Sequence, residues 1–229
     1  MNTPPHIGVE DSAGPGEPGA SGAPGAPGAP GARPGTASAP APRDYRLLVP
    51  AEGWDRIALD PEVWPRRIAA LVERQFRGVD NAPHLKAEMR ADLDRRCRSA
   101  WEGGGVELYL VSMDIRGIPV AASLLVTLIP RPEGQVKPSL EAMAQGLAVE
   151  GRDARVEKMP AGKALVQRYK TPPQPGDGST YPDTHYDALF DVPNTNSQLL
   201  LSFSTPVAPL ADVLTELFES VALSLVWRP

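Results

Sequence analysis

The sequence predicts an α+β fold: a mainly antiparallel sheet with helices on both faces, an α/β/α sandwich, behind a disordered N-terminal tail. Three observations predict it. β-type runs come in pairs joined by short turns, and helix-type runs separate the pairs, an order that builds antiparallel sheets with helices packed on them. Residues 106–113 and 118–129 are apolar at nearly every position, so those strands need cover on both faces and belong in the middle of the sheet. The first 43 residues hold 10 Pro, 9 Gly and 9 Ala, a composition that cannot bury a core. The chain therefore divides into a tail, residues 1–43, and one domain, residues 44–229.

The tail has glycine at 16, 19, 22, 25, 28 and 31, mostly in G-A-P triplets. That period is collagen-like, but the array is short and Arg33-Pro34 breaks its register. A flexible tether with polyproline II character is the expectation. The domain opens with a short β-type run over residues 45–50 that ends at a proline. A turn at Glu52-Gly53 leads to a second strand over 54–59. Asp60-Pro61-Glu62 signals a helix start, with regular helix from about Pro65 and a stop at Gly78. Asn81-Ala82-Pro83 starts a second helix, whose stripe is Leu85, Met89, Leu93, Cys97 and Trp101, and Gly103-Gly104-Gly105 ends it.

Strands at 106–113 and 118–129 form a hairpin, and residues 139–149 a third helix. Hairpins follow at 154–159 with 163–170 and at 183–192 with 198–205. A long Pro- and Gly-rich loop, 171–182, lies between them. The last helix spans 209–225, with Leu210, Val213, Leu214, Leu217, Val221 and Leu225 as its apolar stripe. Trp227 anchors the chain end under the core.

The formal net charge is −5, but residues 66–98 carry nine basic and five acidic side chains. The i,i+4 pairs Asp92 with Arg96 and Asp94 with Arg98 read as solvated helix surface. Arg90, Arg95 and Arg98 are the candidates there for contact with an acidic protein partner. The acidic balance argues against nucleic acid. No apolar run is long enough for a membrane span, and no secretory leader or lipobox cysteine is seen, so a cytoplasmic location is expected. Cys97, the single cysteine, cannot form an internal disulfide and reads as a buried structural thiol.

There is no G-x-S-x-G, and the triglycine precedes a strand where a phosphate cradle needs a following helix. One constellation stands out. Asp183, His185 and Asp187 alternate along a strand, which puts them on one face, where an imidazole between carboxylates has the chemistry to hold an ion. Tyr186, Ala188 and Phe190 form the opposite, apolar face, so the other expectation is a solvated polar surface. Four ligands are needed for a closed zinc site and no fourth lies nearby. No metal or cofactor is expected. Tyr169 and Tyr181 flank the 171–182 loop as candidate partner-binding residues; the loop reads equally as recognition loop or as structureless connection. Phe76, Met89 and Trp101 read as core.

The layout resembles the PsbP-like fold, shared by the photosystem II PsbP protein, the Ran-binding protein Mog and mycobacterial lipoproteins of the LpqN type. The residues that carry the resemblance are Leu47-Leu48-Val49-Pro50-Ala51-Glu52-Gly53-Trp54 and the Met159-Pro160-Ala161-Gly162-Lys163-Ala164 hairpin. The run from Leu199 to Pro206, the segment Leu214-Thr215-Glu216-Leu217-Phe218 and Trp227 complete it. The chain is also similar to proteins of high-GC actinobacteria with a Pro/Ala/Gly-rich head. The resemblance implies binding of proteins, lipids or ions rather than catalysis. The expected function is a non-catalytic interaction module, an accessory or adaptor of a larger bacterial assembly. A small-molecule or lipid carrier, with a pocket between sheet and helices, is the alternative, and an enzyme ranks last.

Overall fold

A computed structural model describes residues 44–78, 82–115, 118–132, 134–173 and 182–228. The expectations for the tail, for the 116–117 turn and for most of the 171–182 loop, Tyr181 included, fall outside these residues. In chain order the elements are β1 (Tyr45–Arg46), β2 (Trp54–Ala58), α1 (Trp64–Gln75), α2 (Pro83–Glu102), β3 (Gly105–Ile115) and β4 (Ile118–Ile129). There follow α3 (Leu140–Val149), β5 (Asp153–Met159), β6 (Gly162–Thr171), β7 (Asp183–Asp191), β8 (Gln198–Thr205), α4 (Ala211–Leu223) and β9 (Val226–Trp227). A 3₁₀ turn, Ala208–Leu210, leads into α4.

The main sheet has seven strands in the order β2-β3-β4-β8-β7-β6-β5, and every neighbouring pair is antiparallel. Two meanders thus meet where β4 pairs with β8, and the central position belongs to β8, one place beyond the β3–β4 hairpin expected there. Side chains alternate across the sheet and make two cores. On one face Leu124, Val126, Leu199, Leu201, Phe203, Ala188 and Phe190 pack under Leu214, Phe218, Val221 and Ala222 of α4. On the other face Ile57 and Leu108 pack under Trp64, Ile68 and Val72 of α1 and Cys97 of α2. On that same face Leu165 and Leu189 pack under Leu140 of α3. Helices therefore cover both faces, the sandwich the sequence predicts.

Three local expectations are corrected. Only Tyr45–Arg46 of the 45–50 run is strand, and it pairs with Val226–Trp227 as a separate two-stranded ribbon. Its proline-terminated sequence is too short to extend the main sheet. In the α4 region the buried stripe runs through Leu214, Phe218, Val221 and Leu225, while Val213 is exposed and Leu217 only partly buried. Leu210, in the 3₁₀ turn ahead of the helix, is partly buried against the same core. In α2 Cys97 is buried, but Leu85, Met89 and Trp101 are exposed to 45%, 38% and 47%. Their stripe outruns the sheet beneath it, so they are surface rather than core. The triglycine after α2 is needed for close approach. Gly104 has φ +86°, and a Cβ on Gly105 would lie 2.6 Å from the Ala100 carbonyl oxygen.

Candidate functional site

The face that carries α1, α2 and α3 also holds a run of polar side chains, buried or half-buried. β4, β8, β7 and β6 present Ser123, Ser202, Ser204, His185, Asp187, Gln167 and Tyr169 there. The cross-strand partners are Ser123 with Ser204, Asp187 with Ser202, and His185 with both Ser204 and Tyr169. The structure thus brings the D-x-H-x-D strand and Tyr169 into one cluster.

Asp187 is its centre. It is 6% exposed, which corrects the expectation of a wholly solvated face. Its carboxylate accepts from Ser202 Oγ at 2.5 Å, Gln167 Nε2 at 2.8 Å and Tyr169 Oη at 3.1 Å. Burial, then the Asp187 charge, pushes the Tyr169 phenol up to about 12. The His185 ring stacks on Tyr169 at 4.7 Å between centroids, and its Nε2 shares a 2.8 Å hydrogen bond with Thr171 Oγ1. Ser204 pairs with Ser123 at 2.8 Å. Among the described residues no three His, Cys, Asp or Glu side chains assemble as an ion site. Of the three residues of the ion alternative, Asp187 is bonded by neutral donors, His185 bonds Thr171, and Asp183 opens the strand as the cross-strand partner of Thr171.

Asp183 lines an adjoining groove of about 280 Å³ between the α1–α2 pair and the sheet. One wall is apolar, formed by Leu71, Met89, Leu93, Leu110 and Pro206, and the floor includes Ser123 and Ser204. The exposed stripe of α2 runs on from Met89 to Leu85. α2 is held in place by Trp64 Nε1, which donates to Asp94 at 2.8 Å, and by ion pairs along its length. Arg90 and Lys86 both pair with Glu73 of α1, so two like charges share one acid. Arg95 pairs with Asp92, Arg96 with Asp92 at 2.6 Å, and Arg98 with Asp94 at 3.0 Å. Each of the three candidate arginines therefore pairs with an acid, Arg90 and Arg95 sharing theirs with a second cation.

A second, larger cavity, about 680 Å³, lies on the opposite face between the sheet and the β1–β9 ribbon. Leu47, Val49, Leu128, Leu199 and Trp227 give it an apolar side. At its polar end Glu107 is bridged by Arg56 and accepts from Tyr109 Oη at 2.7 Å. Burial and the Glu107 carboxylate hold the Tyr45 and Tyr109 phenols well above the usual range. Sequence reasoning missed this site, because its residues come from segments scattered from Asp44 to Arg228 and no local spacing marks them.

No protein-family model, curated protein or solved structure was found to match this chain. No helix among the described residues is long and apolar enough to cross a membrane.

Proposed function

We propose that the domain is a non-catalytic protein-interaction module, an accessory or adaptor of a larger bacterial assembly that works in the cytoplasm. The groove beside α2 carries this reading. It joins an apolar wall, on which Met89 is exposed, to a floor that includes the hydroxyl side chains of Ser123 and Ser204. Met and Arg side chains around an apolar patch are the composition of binding surfaces rather than of idle ones. The hydroxyl groups support a non-catalytic role. Ser202 donates to Asp187 and Ser204 pairs with Ser123, so neither serine bonds His185 among the described residues. We also propose a PsbP-like fold, on the residues and the order of hairpins and helices that suggest it.

The test is a photo-crosslinking amino acid at Met89 in the native host, with one at the exposed Val136 as control. The protein captured at Met89 alone is then purified and titrated calorimetrically against the full chain. Met89→Glu should weaken that binding at least about tenfold, the size of an interface anchor. Unchanged affinity refutes the reading.

A carrier is the second reading, and the 680 Å³ cavity is the observation that favours it, since ligand pockets run from about 300 to 1,000 Å³. A small molecule retained by the purified protein in native mass spectrometry, and lost in Trp227→Ala, would favour it over the first.

A further inference from the structure

We propose that β5 is a self-recognition edge. Two copies of this chain pair through it, antiparallel about a dyad at Val156, and join their sheets into one.

The argument begins with position. β5 ends the strand order, and among the described residues no strand pairs with its outer side. The two-residue Pro160-Ala161 turn makes Met159 and Gly162 a hydrogen-bonded pair, and the pairing alternates from there. Glu157 and Arg155 are therefore bonded to β6. Ala154, Val156 and Lys158 direct their N–H and C=O groups to the open edge. An open edge is a template for another strand unless its side chains forbid it.

Here the side chains select one partner and one register. β5 reads Asp153-Ala154-Arg155-Val156-Glu157-Lys158-Met159. With Val156 opposite its own copy, Arg155 faces Glu157 of the second chain, and the symmetry repeats the contact. A shift of two residues one way sets Arg155 against Arg155 and Asp153 against Glu157. A shift the other way sets Glu157 against Glu157. Opposite charges directly across a strand pair are favourable and like charges are not. In the chosen register Val156 is an edge-bonded pair, so Arg155 and Glu157 fall at the non-bonded positions, where side chains stand closest. Both are reachable, with Arg155 46% and Glu157 27% exposed. They already pair within one chain, Arg155 Nε donating to Glu157 at 2.5 Å, so the second copy completes a ring of alternating charge. On the α3 side Ala154 and Val156 already belong to the apolar cluster under that helix, and the dyad would extend it. The opposite edge, β2, lacks this match. Its Asp55 and Arg56 are engaged by Arg74 and Glu107, and a dyad at Arg56 would oppose two arginines.

Sedimentation velocity on the full chain across a wide concentration series tests this. The wild type should move toward twice the monomer mass as concentration rises. Arg155→Glu and Glu157→Arg should each weaken the association by about tenfold or more, because each turns both contacts repulsive. The double reversal R155E/E157R should restore it, since the pairs re-form with exchanged signs. Thermal melting of each variant confirms that the fold is intact. Should a single reversal fail to fold, the double reversal and Lys158→Glu, which leaves the Arg155–Glu157 contacts in place, must still dimerise. A wild type monomeric throughout, single reversals that dimerise normally, or a double reversal that stays monomeric would each overturn the proposal.

Discussion

The Asp187 carboxylate collects three neutral donors in a nearly solvent-free position, and its partners pay the cost if it is lost. Asp187→Ala would leave Ser202, Gln167 and Tyr169 without their acceptor, at about 2–3 kcal/mol of stability. Urea unfolding should show the midpoint fall, and an unchanged midpoint would mean the cluster is solvated. Tyr169 adds a pH dependence. Its phenol is held up to about 12, so the folded state binds that proton more tightly than the unfolded chain does. The contribution is complete below about pH 10 and is lost as pH rises toward 12. Tyr45, Tyr109 and Tyr186 shift in the same direction, so alkaline unfolding is shared. Stability measured against pH should fall less steeply in Tyr169→Phe than in the wild type. Cys97 is fully buried, and burial raises its thiol to about 11. A disulfide reagent near neutral pH should leave it unlabelled until urea unfolds the chain.

Among the elements, α4 locks its face of the sheet through Phe218, which stacks on Phe203 with centroids 4.9 Å apart and is fully buried. Phe218→Ala should cost about 3–5 kcal/mol in urea unfolding. Leu217→Ala should cost clearly less, since Leu217 is only partly buried; equal losses would show that the helix turns its other face inward. Heptad-like spacing marks an apolar stripe on this helix but leaves its centre open by about one residue, because Leu210, Val213 and Leu217 fit the period as well as Leu214, Phe218 and Val221 do. The α2 stripe shows the complementary effect. Its period is right from Leu85 to Trp101, yet along that stripe only Cys97 is fully buried and Leu93 partly so, and the ends are left for solvent or a partner.

For the molecule as a whole, the two chain ends of the domain are tied together. β1 pairs with β9 and the Arg228 amide donates to the Asp44 carbonyl at 2.8 Å, while Trp227 Nε1 fastens the ribbon to the β5–β6 turn through the Ala161 carbonyl at 2.9 Å. A chain starting at Arg43 should melt within a degree or two of the full chain, as a tail with little apolar surface contributes little to stability. A chain starting at Val49 loses β1, exposes the 680 Å³ cavity and should melt clearly lower in differential scanning calorimetry. Equal midpoints for all three would mean that the ribbon is a loose appendage.

The amino-acid pattern by itself determined the layers of this protein. Hairpin turns, period-two strands and amphipathic helices are local, so the order of elements and the bounds of β4, at residues 118–129, and β8, at 198–205, were legible to the residue. Tyr186, Ala188 and Phe190 were legible as the apolar side of β7 for the same reason. What shares a place was not. The pairing of β4 with β8 brings Ser123 next to Ser204, 81 positions apart, and the pairing of β6 with β7 stacks Tyr169 on His185. Burial of Asp187 follows from those neighbours rather than from its own flanking residues. The cavity under the β1–β9 ribbon needs both ends of the domain at once. Such sites depend on long-range register, and register is decided by the packed sheet, where a one-residue slip would turn every side chain to the wrong face.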